Sequence, residues 1–216
     1  MSQIAAKSRF LELCHRLHID MGVSQKWFTI IQERYGERQR KYHTLQHLED
    51  MFSYYDKWKP SLSKPEDVLL AIYFHDIVYD PTANDNEEKS IQLFEDFIRD
   101  SCPDMMEVKT NVIYLIQTTI THLTGVNDQN DDLNYFLDFD MAILGSDEKD
   151  YREYADNIRI EYKHHSDDVF NTKRIAVLEN FLKRPHIFNA NSFRDLYENK
   201  ARLNITEEIK RLKVKG

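Results

Sequence analysis

Apolar residues recur along this chain at spacings of three and four, the period of one helix face. Val68, Ala71 and Ile72 lead into His75 and Asp76, and Val108, Val112, Leu115 and Thr119 lead to His122. Leu133, Phe136, Leu137, Asp140, Ile143 and Leu144 form a third stripe. No stretch sustains a period-two alternation, and no Asn-Gly hairpin signal occurs. Five Gly and five Pro stand mostly where stripes end, among them Gly22, Gly36, Pro60, Pro65, Pro81, Pro103, Gly125, Gly145 and Pro185. The pattern predicts an all-α protein with helices over 3–18, 24–35, 42–58, 65–77, 86–100, 105–122, 132–144, 147–164, 167–183 and 191–213.

No repeat or Pro/Gly/Ser-rich linker interrupts these segments, so one domain over 1–216 is the expectation. With 41% hydrophobic and 12% aromatic residues, the chain has the material for a sizeable core. Its longest apolar run, Val68 to Phe74, is far shorter than the ~20 residues of a membrane span. Lys7, Arg9, Glu12 and His15 break any signal-like run after Met1, which predicts a cytoplasmic protein. Two cysteines, Cys14 and Cys102, are too few for a disulfide framework and read as free thiols. A net charge of −8 argues against a nucleic-acid polymer as partner and leaves metal cations open. The last helix mixes Lys200, Arg202, Lys210, Arg211, Lys213 and Lys215 with Asp195, Glu198, Glu207 and Glu208, the pattern of a solvated amphipathic helix.

Chemistry enters through polar residues at apolar positions. His75 and Asp76 continue the buried face of their helix, and burying an aspartate is costly unless a partner compensates it. His43 and His47, spaced i, i+4 at the start of the 42–58 segment, lie on one side of it. Asp140 falls inside the third stripe, which turns Asp138, two positions away, outward. His122 closes its own stripe and points to the core. Singly, each has an ordinary reading: a core histidine, a surface pair, a capping aspartate. Together they aim His and Asp inward from four helices, and imidazole with carboxylate is a ligand set for Zn, Mn or Fe.

The ordered set H…HD…D, here His47, His75-Asp76 and Asp140, resembles the HD superfamily of metal-dependent phosphohydrolases. Arg40-x-Tyr42-His43-Thr44-Leu45-x-His47, Tyr73-Phe74-His75-Asp76-Ile77-Val78-Tyr79-Asp80, Leu137-Asp138-x-Asp140-x-x-Ile143-Leu144-Gly145 and Glu198-x-x-Ala201-Arg202-x-Asn204 extend the likeness to one branch of that superfamily over nearly the whole chain. The resemblance implies an HD-domain helical bundle, with a metal-binding core over about 40–145 and helices 147–214 packed on it. It implies a phosphohydrolase acting on a small phosphorylated molecule, a nucleotide among the candidates. The metal would be held by His47, His75, Asp76 and Asp140: Mn, Mg, Zn, Ni, Co or Fe, one or two ions per chain. By analogy with cyclic-nucleotide phosphodiesterases, His43 becomes the general acid.

Glu87 follows the HD pair at the place where several HD phosphohydrolases carry a water-activating carboxylate, although an Asp85/Glu88 capping box explains the acidic run equally well. His122 stands as a second-metal ligand or a substrate contact. Arg40, and more weakly Arg159 and Lys163, are candidate phosphate clamps, with plain surface charge as the alternative. His164-His165 sits at a helix C-terminus and is assigned no chemistry. Two other functions share the scaffold: a di-iron oxygenase, and a non-catalytic metal-stabilised ligand-binding module.

Overall fold

The computed structural model describes residues 2–101, 104–122 and 131–214; Cys102, Pro103, Gly125 and Lys215 lie outside them. Among the described residues the fold is all-α, with ten α-helices and two short 3-10 turns. No helix is long and apolar enough to cross a membrane. The helices are α1 (Ser2–Arg16), α2 (Met21–Tyr35), α3 (Leu45–Trp58), α4 (Pro65–Phe74), α5 (Asn86–Ser101), α6 (Met106–Thr118), α7 (Asp131–Met141), α8 (Glu148–Glu161), α9 (Asp167–Lys183) and α10 (Asn191–Val214). The 3-10 turns are Lys59–Ser61 and Ala142–Gly145. The chain groups into two compact units, Met1–Phe136 and Leu137–Gly216. Their boundary falls inside α7, and the 40–145 stretch expected to hold a metal runs across it.

In the first unit α4 is the central element. Every residue from Asp67 to Phe74 is buried, so α4 needs neighbours on all sides, and it packs on α3, α5 and α6. Phe10 of α1 meets Tyr73 edge-on at 4.9 Å, and Phe74 packs on Phe94 and Phe97 of α5 at 5.2 and 5.1 Å. At the start of α4, Asp132 of α7 accepts the backbone N–H groups of Ser63 and Lys64 at 2.6 and 2.9 Å. At its other end the Phe136 ring lies edge-on to His75, 6.0 Å between centroids.

Several helix ends differ from the periodicity, and three of them bear on the candidate site. Thr44 is extended (φ −114°, ψ −179°) and its Oγ1 accepts the Gln46 N–H, so α3 begins at Leu45 and leaves Tyr42 and His43 in the turn before it. α4 stops at Phe74, and beyond it the Asp76 and Ile77 carbonyls accept from Arg40 at 2.8 and 3.0 Å. α6 stops at Thr118, and His122 closes the end with a left-handed φ of 50° and an N–H bond to the Thr118 carbonyl.

In the second unit, buried carboxylates tie loops to helices. Glu198 of α10 accepts the Ile187 and Phe188 amides, and Asp138 of α7 accepts those of Asn189 and Ala190. Four successive N–H groups leading into α10 are thus satisfied by two side chains. Asp138 is therefore buried, not outward as its helical angle suggested. α7 is apolar on more than one side, with Leu133, Phe136, Leu137, Phe139 and Met141 all covered, so the far side of the stripe is not solvent. Burial pushes its carboxyl up to about 7. Asn204 Nδ2 donates to the Leu144 and Ser146 carbonyls, both at 2.9 Å. α10, expected as a solvated helix, is instead partly sunk, burying Phe193, Glu198, Ala201, Asn204, Ile205, Glu208 and Ile209.

Candidate metal centre

The C-terminal ends of α4 and α7 and the turn into α3 bring three ligand-bearing side chains together. One ligand atom each from His47, His75 and Asp140 lies within 4.8 Å of the others. His47 sits in the first turn of α3, His75 is the residue that caps α4, and Asp140 is in the last turn of α7. α7 is continuous through the unit boundary, and Asp140 is one turn beyond Phe136, the residue packed on His75. His75 stands at the C-terminus of α4, the negative end of its macrodipole, which favours a nearby cation.

The histidine geometry is specific. His75 Nδ1 lies 3.0 Å from the Ile72 carbonyl. A carbonyl only accepts, so Nδ1 carries a proton and Nε2 is the nitrogen that faces the site. That Nε2 faces His47 Nε2 at 3.3 Å, with both rings nearly inaccessible to solvent. Ligand nitrogens at about 2.0–2.1 Å from one ion stand roughly 3.0–3.4 Å apart, so the observed spacing suits a shared metal. Asp76 Oδ2 lies 3.3 Å from His75 Nε2, the same interval. His47, His75 and Asp140 form a donor set that could hold a metal ion, while Asp76, beside His75, is not one of that group.

Around this group stand the other candidates. His43, in the turn before α3, has Nε2 3.9 Å from Asp76 Oδ2, and its ring stacks on Tyr79 at 4.2 Å. It reaches Asp76 from that turn, where the periodicity had set it one helical turn from His47. Tyr79 received no role from its position in the sequence; its place four residues beyond His75 was the available signal. Glu87, in the first turn of α5, is half-buried. Burial raises its carboxyl pKa, the charges of Asp76 and Glu88 add to the rise, and His122 opposes it. Glu87 therefore senses both Asp76 and His122. His122 itself is half-exposed at the end of α6, outside the helix whose stripe placed it in the core.

Arg40 lies elsewhere than its proposed role requires. A phosphate clamp needs donors turned to the substrate, whereas Arg40 is 3% exposed and sandwiched between the Tyr35 and Tyr79 rings at 4.8 and 5.3 Å. Nη1 donates to the His43 and Asp76 carbonyls at 3.1 and 2.8 Å, and Nη2 to Ile77. The guanidinium joins the turn holding His43 to the turn holding Asp76, and so positions both. Asp85, expected in a capping box, instead accepts Lys89 Nζ at 2.8 Å. Arg159 holds the Tyr162 and His165 carbonyls and Asp167; Lys163 is exposed.

Compared with protein-family models, curated proteins and solved structures, the chain gives no match.

Proposed function

We propose that this protein is a divalent-metal-dependent phosphohydrolase of HD type, acting on a phosphoester of a small molecule. One observation carries the reading: the apposition of His47 and His75 Nε2 at 3.3 Å, with Asp140 and Asp76 beside them. A divalent ion bound there would lower the pKa of a coordinated water toward ~7 and polarise a phosphoryl oxygen. The metal ligands in this reading are His47, His75, Asp76 and Asp140, and the resemblance of the H…HD…D set supports the same assignment.

The remaining roles belong to side chains around the ligands. His43, with Nε2 3.9 Å from Asp76 Oδ2 and held by Tyr79 and the Arg40-bound carbonyl, is the side chain that would deliver a proton to a leaving oxygen. Glu87 is the carboxylate that would accept a proton from an attacking water; burial first, with the charge of Asp76 adding, raises its pKa. His122 is the adjoining imidazole for substrate. Phe136, packed on His75, shields the buried histidines from bulk water.

The experiment is phosphate release from a panel of phosphomonoesters and nucleotides, with Mn, Co, Ni, Mg or Zn supplied. Turnover that needs metal and vanishes in Asp76→Ala, together with a His43→Ala variant that keeps its metal but loses about 100-fold or more in kcat, agrees with the proposal. Stoichiometric iron with oxygen consumption and no phosphate release would replace hydrolysis by oxidation. Loss of thermal stability on chelation with neither activity would leave a metal-stabilised module.

A further inference from the structure

Far along the chain from the metal ligands, the second unit holds a cavity of about 270 Å³ between α8 and α9. Its walls are Ile158, Tyr162, Phe170 and Val177. Three basic side chains, His165, Lys173 and Arg174, share the lining. The loop that closes it, 162–166, is held in place: Arg159 donates to the Tyr162 and His165 carbonyls and to Asp167, and its guanidinium lies over Phe170 at 4.8 Å. The pocket is thus preformed.

Its charges are unequal. Arg174 is largely buried, and its Nε and Nη2 are taken by Glu208 and the Tyr154 hydroxyl. Nη1 makes none of those bonds, and Arg174 is among the residues that line the cavity. Lys173 Nζ lies 3.2 Å from His165 Nε2. Lys173 lowers the His165 pKa together with desolvation, the larger cause, so the ring is neutral and accepts from Nζ. With Glu208 balancing Arg174, one positive charge, that of Lys173, is left over at the mouth of an apolar pocket.

We infer that this cavity binds a small carboxylate with a ring-sized or short aliphatic body. The carboxylate meets Lys173 Nζ and Arg174 Nη1, and the apolar part lies between Phe170, Ile158 and Val177. An arginine fork beside an ammonium suits a planar carboxylate. The volume equals roughly nine water-sized units, enough for a benzoate or a hexanoate. The inference stands apart from the metal chemistry and would survive its failure.

The test is calorimetric titration of the full-length protein, in the presence of chelator, with benzoate, hexanoate and the neutral isostere benzamide. Three proteins are compared: wild type, Lys173→Glu and Val177→Trp. Lys173 is exposed and Val177 is 47% exposed, so neither change removes a core contact. One of the two carboxylates is expected to saturate wild type in the millimolar range or below, the order attainable by about nine non-hydrogen atoms. Benzamide should bind at least about tenfold more weakly than benzoate, Lys173→Glu should lose about tenfold, and Val177→Trp should abolish binding by filling the cavity. No saturation by either carboxylate, equal affinity for benzamide, or binding that persists in Val177→Trp would overturn the inference.

Discussion

Arg40 donates from Nη1 to the carbonyl of Asp76 at 2.8 Å, and from the same nitrogen to the carbonyl of His43 at 3.1 Å. A buried guanidinium thereby fixes two non-helical turns that carry neighbouring side chains of the site. Removing it would leave carbonyls without their donor in a buried place, which costs more than the bonds themselves. Arg40→Ala is expected to lose about 3 kcal/mol of stability, read by urea unfolding, and to weaken Mn affinity, read by titration. Arg40→Lys, with one compact ammonium in place of a fork, should recover stability only in part. Metal affinity unchanged in Arg40→Ala would show that the turns hold their shape without it.

Arg174 and Glu208 form an ion pair at 2.9 Å with side chains only 11% and 4% exposed, and the Tyr151 hydroxyl donates to the same carboxylate at 2.5 Å. Breaking one side strands a buried charge. Arg174→Ala is expected to cost about 3–5 kcal/mol by denaturant unfolding, and the paired change Arg174→Met with Glu208→Leu much less than the sum of the single changes. A cost of under about 1 kcal/mol for Arg174→Ala would mean that Glu208 finds water instead.

Gly145 is required by closeness, not by an unusual φ. A Cβ there would stand 2.6 Å from Tyr197 Cβ and 2.9 Å from the Tyr197 carbonyl oxygen. The obstacle includes backbone, so α10 itself must shift. Gly145→Ala is expected to destabilise by about 1–3 kcal/mol, and Tyr197→Ala should not rescue it fully. A neutral effect in thermal unfolding would mean that α10 moves freely.

Burial raises the carboxyl pKa of Asp67, against a hydrogen bond from Asn111 Nδ2 at 2.8 Å. The folded state then holds its proton to higher pH than the unfolded state does. The contribution is favourable below the ordinary aspartate value of ~3.9 and is lost as pH rises toward the raised one. In Asp67→Asn, the decline of stability with rising pH over that window should be shallower than in wild type. Parallel urea midpoints for the two proteins across the window would contradict this.

What the sequence carried and what it could not are separated by where the backbone leaves the helix. Periodicity located all ten helices, because their apolar faces are real and buried. It led to His75 and Asp140, and the structure brings one ligand atom of each within 4.8 Å of the other and of His47. It failed at the caps. Thr44 ends the regularity before His43, and Thr119 ends it before His122, by local hydrogen bonds that no hydrophobic spacing records. Asp138 was misplaced because a helix buried on several sides has no solvent face to assign. Arg40 was misread because a surface clamp and a buried tie between carbonyls share the same residue type. The Glu198, Ala201 and Asn204 pattern, read as a mark of resemblance, has a structural cause: a carboxylate on two amides, a residue too covered for a larger side chain, and an amide on two carbonyls.

The central claim is that His47, His75, Asp76 and Asp140 hold a divalent ion. The direct measurement is metal content by mass spectrometry of the freshly purified protein beside His75→Ala and Asp140→Ala, each checked for fold by circular dichroism. About one or two divalent ions per wild-type chain, lost in both folded variants, is the result expected. No stoichiometric metal in wild type, even after Mn, Zn and Fe are offered in turn, would contradict the claim and leave the paired imidazoles as hydrogen-bonded groups of the core.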